Sequence, residues 1–264
     1  KASDFSDEIE LSLLYEWKQL NQGGIVDRYI EGKKNPVIRL ADLDGDDDLD
    51  LLFGSKVRDP RAAQLGSVVD GTHKLTAFKY DKEEKRMIRV DREAKIENSL
   101  ANQHIEFITD MHVALINNDE FPDVVINRYS QTPQAGQNVS DLYVNFGNEP
   151  VDGGSSNLNE ESLVYDQVRI GDGLFNGKLK LADLNNDGQL EILQVGLTSD
   201  NVTSGVSKLI IYSYDESSNS FNANDASSQI APLSNSSFDL GDVDNDQDLD
   251  FVITGFDQTS GLKS

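Results

Sequence analysis

Apolar residues along this chain fall into short runs that either alternate with polar ones or continue unbroken for a few positions. These are the signatures of half-buried and fully buried β-strands. Lys74 to Tyr80 and Arg86 to Val90 alternate on either side of a charged tip, Asp81 to Lys85, and predict a hairpin. Asp141 to Phe146 and Lys208 to Tyr214 repeat the pattern, while Leu51-Leu52-Phe53, Ile192-Leu193-Gln194-Val195 and Phe251-Val252-Ile253 run on without a break. A helix over 81–100 is favoured by propensity but has no clean apolar stripe. Residues 8–32 hold Ile9, Leu11, Leu13, Leu14 and Trp17; a short helix fits their period. However, Ser12 to Trp17 matches Lys208 to Tyr214 in pattern and in distance before the next bend, and is read as late strands of a unit whose early strands lie elsewhere. The polar stretches 55–73, 128–140, 148–160 and 197–206 are expected to be exposed loops between strands, and the Ser-, Asn- and Asp-rich stretch 213–237 long turns. The expectation is one all-β domain over 1–264.

Four bends share one frame. Asp42, Asp44 and Asp46 stand at alternate positions and Asp50 closes the loop at its ninth. The frame returns as Asp183, Asn185, Asp187 and Glu191, then as Asp242, Asp244, Asp246 and Asp250. A worn copy spans 115–123, where Leu115 replaces the first carboxylate; there the frame is expected to survive and the metal to be lost. The copies start at 42, 115, 183 and 242, in steps of 73, 68 and 59 residues, which marks an array of repeated units. So many carboxylates in nine residues repel one another unless a cation lies among them. Oxygen donors alone select Ca²⁺, or less well Mg²⁺, over zinc or copper. For a single loop the simpler reading is a turn whose Asp and Asn side chains bond their own backbone. Three full copies in register favour calcium.

An EF-hand begins similarly but ends on a Glu at its twelfth position between helices. In this chain the ninth position is always acidic and the flanks read as strands: Ile38 and Leu40, Leu179 and Leu181, Phe238 and Leu240 precede loops, and apolar runs follow them. These repeats resemble the FG-GAP and VCBS repeats of integrin-α-like β-propellers. The resemblance implies a β-propeller, either closed by strands from both termini or forming an arc of a larger ring such as a seven-bladed one. It also implies Ca²⁺ held by the side chains of positions one, three, five and nine and the backbone carbonyl of position seven. Carried over, the sites are Asp42, Asp44, Asp46 and Asp50 with the carbonyl of Asp48; Asp183, Asn185, Asp187 and Glu191 with that of Gln189; and Asp242, Asp244, Asp246 and Asp250 with that of Asp248. Two to four ions are expected, three foremost. Asn185 and Glu191 depart from the pattern and lower the third site's charge.

Composition narrows the setting. There are 47 acidic residues against 23 basic ones, a net charge of −24, and such a surface repels nucleic acid and anionic membrane. Cysteine is absent, which excludes disulfides, thiol catalysis and zinc-thiolate sites. Calcium loops of modest affinity suit the millimolar calcium outside cells, so an extracellular or cell-surface location is expected. No signal peptide and no apolar run of about 18 residues occurs. The segment is therefore expected to be a mature or excised piece whose membrane anchor lies elsewhere. Asn138-Val139-Ser140, Asn201-Val202-Thr203 and Asn235-Ser236-Ser237 fit the glycosylation sequon, as chance allows in a chain this rich in Asn and Ser.

Catalysis finds little footing. His73, His104 and His112 are the three histidines, and His104 and His112 with Asp110 are read as strand and loop residues. Gly171 to Gly177 has the glycines of a phosphate loop but no following Lys. The leading function is a non-catalytic module that recognises a protein or glycan through loops away from the metal loops, 128–140 and 197–206 among them. A structural repeat of a large surface adhesin or fibre is one alternative, and an accessory domain of a secreted polysaccharide-active enzyme another.

Overall fold

The computed structural model describes residues 37–56, 73–83, 86–89, 105–131, 138–152, 161–201, 204–231, 233–246 and 248–257. The readings of 8–32, of His104 and of 90–100, and those of 57–72, 132–137, 153–160, 202–203 and 232 within the polar stretches, lie outside these residues.

Among the described residues the chain is all-β, with one short 3₁₀ turn at Ser227–Gln229 and no α-helix. The first sheet joins β1 (Val37–Ala41), β2 (Asp50–Lys56), β3 (His73–Asp81) and β4 (Arg86–Arg89). The second joins β5 (Ile105–Ala114), β6 (Asp123–Gln131), β7 (Asn138–Asp152) and β8 (Glu161–Asp172). A third holds β9 (Phe175–Ala182), β10 (Glu191–Leu197), β11 (Ser207–Asp215) and β12 (Ser220–Asp225), and a fourth β13 (Leu233–Gly241) and β14 (Asp250–Asp257). Every sheet is an antiparallel meander whose strands pair in chain order. Their first strands lie side by side, β1 against β5, β5 against β9, and β9 against β13.

The sheets stack face to face, and period-two alternation sends successive residues of one strand into different cores. Val124 and Ile126 of β6 join Leu43, Leu52, Ala77, Ile108 and Met111 between the first two sheets. Val125, between them in sequence, turns instead to Leu142, Val144, Leu179, Ile192 and Tyr212 in the second interface. On β10, Ile192 faces this second core, whereas Leu193 and Val195 pack with Leu209 and Phe238 in the third. All seven residues of β10 are buried, which is why its sequence is continuously apolar apart from Glu191 and Gln194.

Both exceptions make hydrogen bonds, although Gln194 Oε1 finds no donor among the described residues. Gln194 donates to Asn127 Oδ1 at 2.8 Å, and Asn127 Nδ2 donates to Thr109 Oγ1 and the Leu174 carbonyl at 2.6 and 2.9 Å. This network accounts for two glycines where β8 passes to β9, Gly173 and Gly177. A Cβ on Gly173 would stand 2.5 Å from Asn127 Oδ1, and one on Gly177 2.8 Å from its Nδ2. The passage is thus a close sheet-to-sheet crossing.

All five stretches expected to be loops or turns are partly strand, 55–73 and 197–206 only at their ends. β6 extends to Gln131, β7 starts at Asn138 and continues to Asp152, and β12 occupies Ser220–Asp225 within 213–237. Their pairing is through the backbone, as in Gln131 opposite Asn138 and Tyr214 opposite Phe221. Where little of a strand turns inward, polar side chains leave no alternation to read; on β12 only Phe221 is partly buried. The hairpin of β3 and β4 and the stretch after Leu197 match expectation.

Candidate metal centres

Each acidic loop connects the first strand of a sheet to its second: β1 to β2, β5 to β6, β9 to β10, β13 to β14. The same devices recur in all four. At the fourth position the backbone is left-handed, with φ of 78° at Gly45, 57° at Asn118, 57° at Asn186 and 62° at Asn245. Gly and Asn are the residues that enter this region at least cost. The ninth carboxylate is a clamp. It accepts the second residue's amide: Leu43 to Asp50 at 2.9 Å, Ile116 to Asp123 at 2.7 Å, Leu184 to Glu191 at 2.9 Å and Val243 to Asp250 at 2.8 Å. In the first two sheets its other oxygen accepts an amide of the third strand's run, Tyr80 or Gly147.

The second residue is an apolar plug. Leu43, Ile116 and Leu184 each enter the core between their own sheet and the next. Val243, in the last described sheet, is 70% exposed.

The remaining positions carry the expected Asx-type bonds. Asp42 accepts the amides of Gly45, Asp46 and Asp47, and Asp183 those of Asp187 and Gly188. Position five accepts the amide of position seven, as Asp46 from Asp48, Asp187 from Gln189 and Asp246 from Asp248. These bonds order the carboxylates but leave further lone pairs, so they do not compete with a cation for every oxygen.

In two loops three carboxylates converge. Asp42, Asp44 and Asp50, and likewise Asp242, Asp244 and Asp250, offer oxygens within 4.8 Å of one another. This donor set fits a hard cation. Within it Asp44 is enclosed: its oxygens accept no backbone amide, and its partner is the Lys79 ammonium reaching in from β3. The third loop differs: Asn185 Oδ1 accepts the Asp187 amide and its Nδ2 points to Glu191 Oε1 at 3.3 Å. A donor thus stands where a ligand oxygen would be wanted. In the second loop Asn117 Nδ2 donates to Asp119 at 2.7 Å, closing a bend whose first position, Leu115, is exposed.

Protonation follows burial and cuts across that division. Burial works against ionising Asp42, but the amides of Asp47, Gly45 and Asp46 outweigh it and hold the group below its ordinary value. Asp50 is pushed up to about 6 by burial, with the charges of Asp44 and Asp46 adding to it. Asp123 reaches about 6, again mainly through burial. Glu191 is raised by burial, with Asp187 and Asp183 beside it. A divalent cation would favour the ionised form at each full loop.

The second and third loops share a rim. Asn118 donates to Glu216 at 2.8 Å, in the turn from β11 to β12, which a meander places at the same end as the β9 to β10 loop. The connection after Leu197 emerges at the opposite end. Between the rims the first strands of all four sheets line a cavity of about 1280 Å³. Its walls carry Arg39, Asp110, His112, Lys178, Lys180 and Asp239. Asp110 accepts from Arg39 at 2.6 Å and from the amides of Met111 and Leu179 at 3.0 Å, tying β1, β5 and β9 together. Those bonds use the carboxylate structurally. His112 is held below the ordinary imidazole value by burial and by the adjacent Arg39.

Comparison of the chain with protein-family models, with curated proteins and with solved structures finds no match. The metal reading therefore stands on loop geometry. Among the described residues no helix is long and apolar enough to cross a membrane.

Proposed function

We propose that the chain is a calcium-binding β-propeller module of the integrin-α-like kind, working outside the cell or at its surface as a non-catalytic adhesion or ligand-recognition unit. The observation that carries this reading is the convergence of three carboxylates in each of two loops that join equivalent strands of separate sheets. Calcium there would neutralise charge that otherwise opposes folding, and all-oxygen donors are what calcium prefers.

A propeller accounts for first strands lining one cavity and for cores that lie only between sheets. It also accounts for the exposed apolar residues of the end sheets, Ile38 and Leu40 on one and Val252 and Phe256 on the other, which neighbouring blades would cover. With one rim occupied by metal loops, the opposite rim, including 197–206, is left for a protein or glycan partner.

Calorimetric titration with calcium tests the reading. At least two binding events are expected; no heat and no rise in melting temperature in millimolar calcium would sink it. Calcium-dependent capture on an array of glycans and matrix proteins then tests recognition.

A further inference from the structure

The first loop contains a positive charge among its carboxylates. The Lys79 ammonium forms an ion pair with Asp44 and lies 3.6 Å from Asp46, reaching in from β3. Lys82, in the turn after β3, pairs with Asp48 at 3.0 Å and donates to the Asp46 carbonyl at 3.1 Å. Asp44 is correspondingly unlike its counterparts. Asn117, Asn185 and Asp244 each accept the amide two residues on, whereas the Asp44 side chain, 6% exposed, accepts none and faces the lysine.

Sheet register shows that the second and third units have no lysine at the equivalent place. Lys79 follows Phe78, the partner of Leu51. The same place in the second sheet, after Asn145 opposite Val124, is Phe146; in the third, after Tyr212 opposite Ile192, it is Ser213. The second loop, lacking the first acid, thus has an aromatic ring where the first has a cation. At the fourth loop no lysine or arginine pairs with Asp244, Asp246, Asp248 or Asp250 among the described residues.

We propose that Lys79, assisted by Lys82, is a tethered cation that takes the metal's place at the first loop, so that this loop keeps its shape without calcium and binds it more weakly than it would without the lysine. The inference rests on the calcium reading of the loops. An ammonium beside Asp44 and Asp46 supplies part of the neutralisation a divalent ion would give, and calcium must displace it or share the carboxylates with it. The first loop is thus partly self-compensated.

The test is a calcium titration of the whole chain followed by amide NMR, with Gly45 reporting the first loop and Asn245 the fourth. In Lys79→Met the Gly45 midpoint is expected to fall about tenfold, since removing one close positive charge strengthens cation binding by at least that factor. Asn245 stays put. In chelator the same variant is expected to melt below the native chain, and the gap to close with calcium. Should Lys79→Met not fold, Lys79→Gln, which keeps a donor and drops the charge, is titrated with the same expectations. An unchanged or raised Gly45 midpoint, or equal melting in chelator, overturns the proposal while the Asn245 response leaves the calcium reading intact. Neither amide responding in either protein overturns both.

Discussion

The second and fourth acidic loops hold the same bend with different means of binding a cation. Both have a left-handed Asn at the fourth position, Asn118 and Asn245, and both use the ninth aspartate to accept the second residue's amide. Yet the second begins with Leu115 and closes on its own Asn117 to Asp119 hydrogen bond, while the fourth gathers Asp242, Asp244 and Asp250. Shape and charge are therefore separable. Positions two, four and nine fold the loop; positions one and three, with nine, decide whether a cation has anything to bind.

The most severe way to break this division is to remove the clamp where no metal is at stake. Asp123 is fully buried and accepts the amides of Ile116 and Gly147. Asp123→Ala leaves two buried N–H groups without partners and is expected to cost about 3 kcal/mol or more by urea unfolding at pH 5. A loss below about 1 kcal/mol would mean that the ninth position does not hold the loop.

Chelation sharpens the comparison from the other side. A site held about 100-fold below ambient calcium contributes about 2.7 kcal/mol, so a chelator should lower the melting temperature measurably. Asp244→Ala should remove the fourth loop's share of that response, and Asp119→Ala in the second loop should leave the response as it was. Equal effects of the two substitutions, followed by calorimetric scanning, would erase the distinction between the loops.

Much of this division was legible in the sequence. The carboxylates at positions one, three, five and nine gave the loop frame, its place between strands and the all-β class, and Leu115 marked the worn copy. The plug was also there to be read, since Leu43, Ile116, Leu184 and Val243 are apolar in an otherwise polar bend, and so was the run of Gly45, Asn118, Asn186 and Asn245 at the left-handed position. What sequence could not supply was contact across strands. Lys79 is 35 residues from Asp44 and looks like a solvated strand residue until register brings it to the loop. Equally, the Asn185 amide pointing to Glu191 follows from which atom the Asp187 backbone occupies, a choice no spacing encodes.

A pH scan in chelator isolates the charge on the clamp. Because burial raises folded Asp123 from 3.8 to about 6, the native state binds the proton more tightly than the unfolded chain. Stability from this group is present in full below pH 3.8 and is lost as pH rises through about 6. The gap in unfolding free energy between the native chain and Asp123→Ala should therefore narrow by about 2 kcal/mol from pH 4 to pH 7, a shift of about two pKa units. A gap that widens over the same interval would place the carboxylate in its charged form throughout.

The smallest expected effect concerns the left-handed fourth position, which all four bends share along with the clamp. Gly45 has φ of 78° and open space around its missing Cβ, so Gly45→Ala meets no clash and its cost is purely that of a left-handed backbone. That cost is about 1 kcal/mol for an alanine. Gly45→Asn should cost less, because a short polar side chain can bond locally and the other three loops place Asn there at φ near 60°. If thermal unfolding ranks Ala as no worse than Asn, the left-handed turn is not what selects the residue, and the shared shape of the loops rests on the ninth-position clamp and the apolar plug instead.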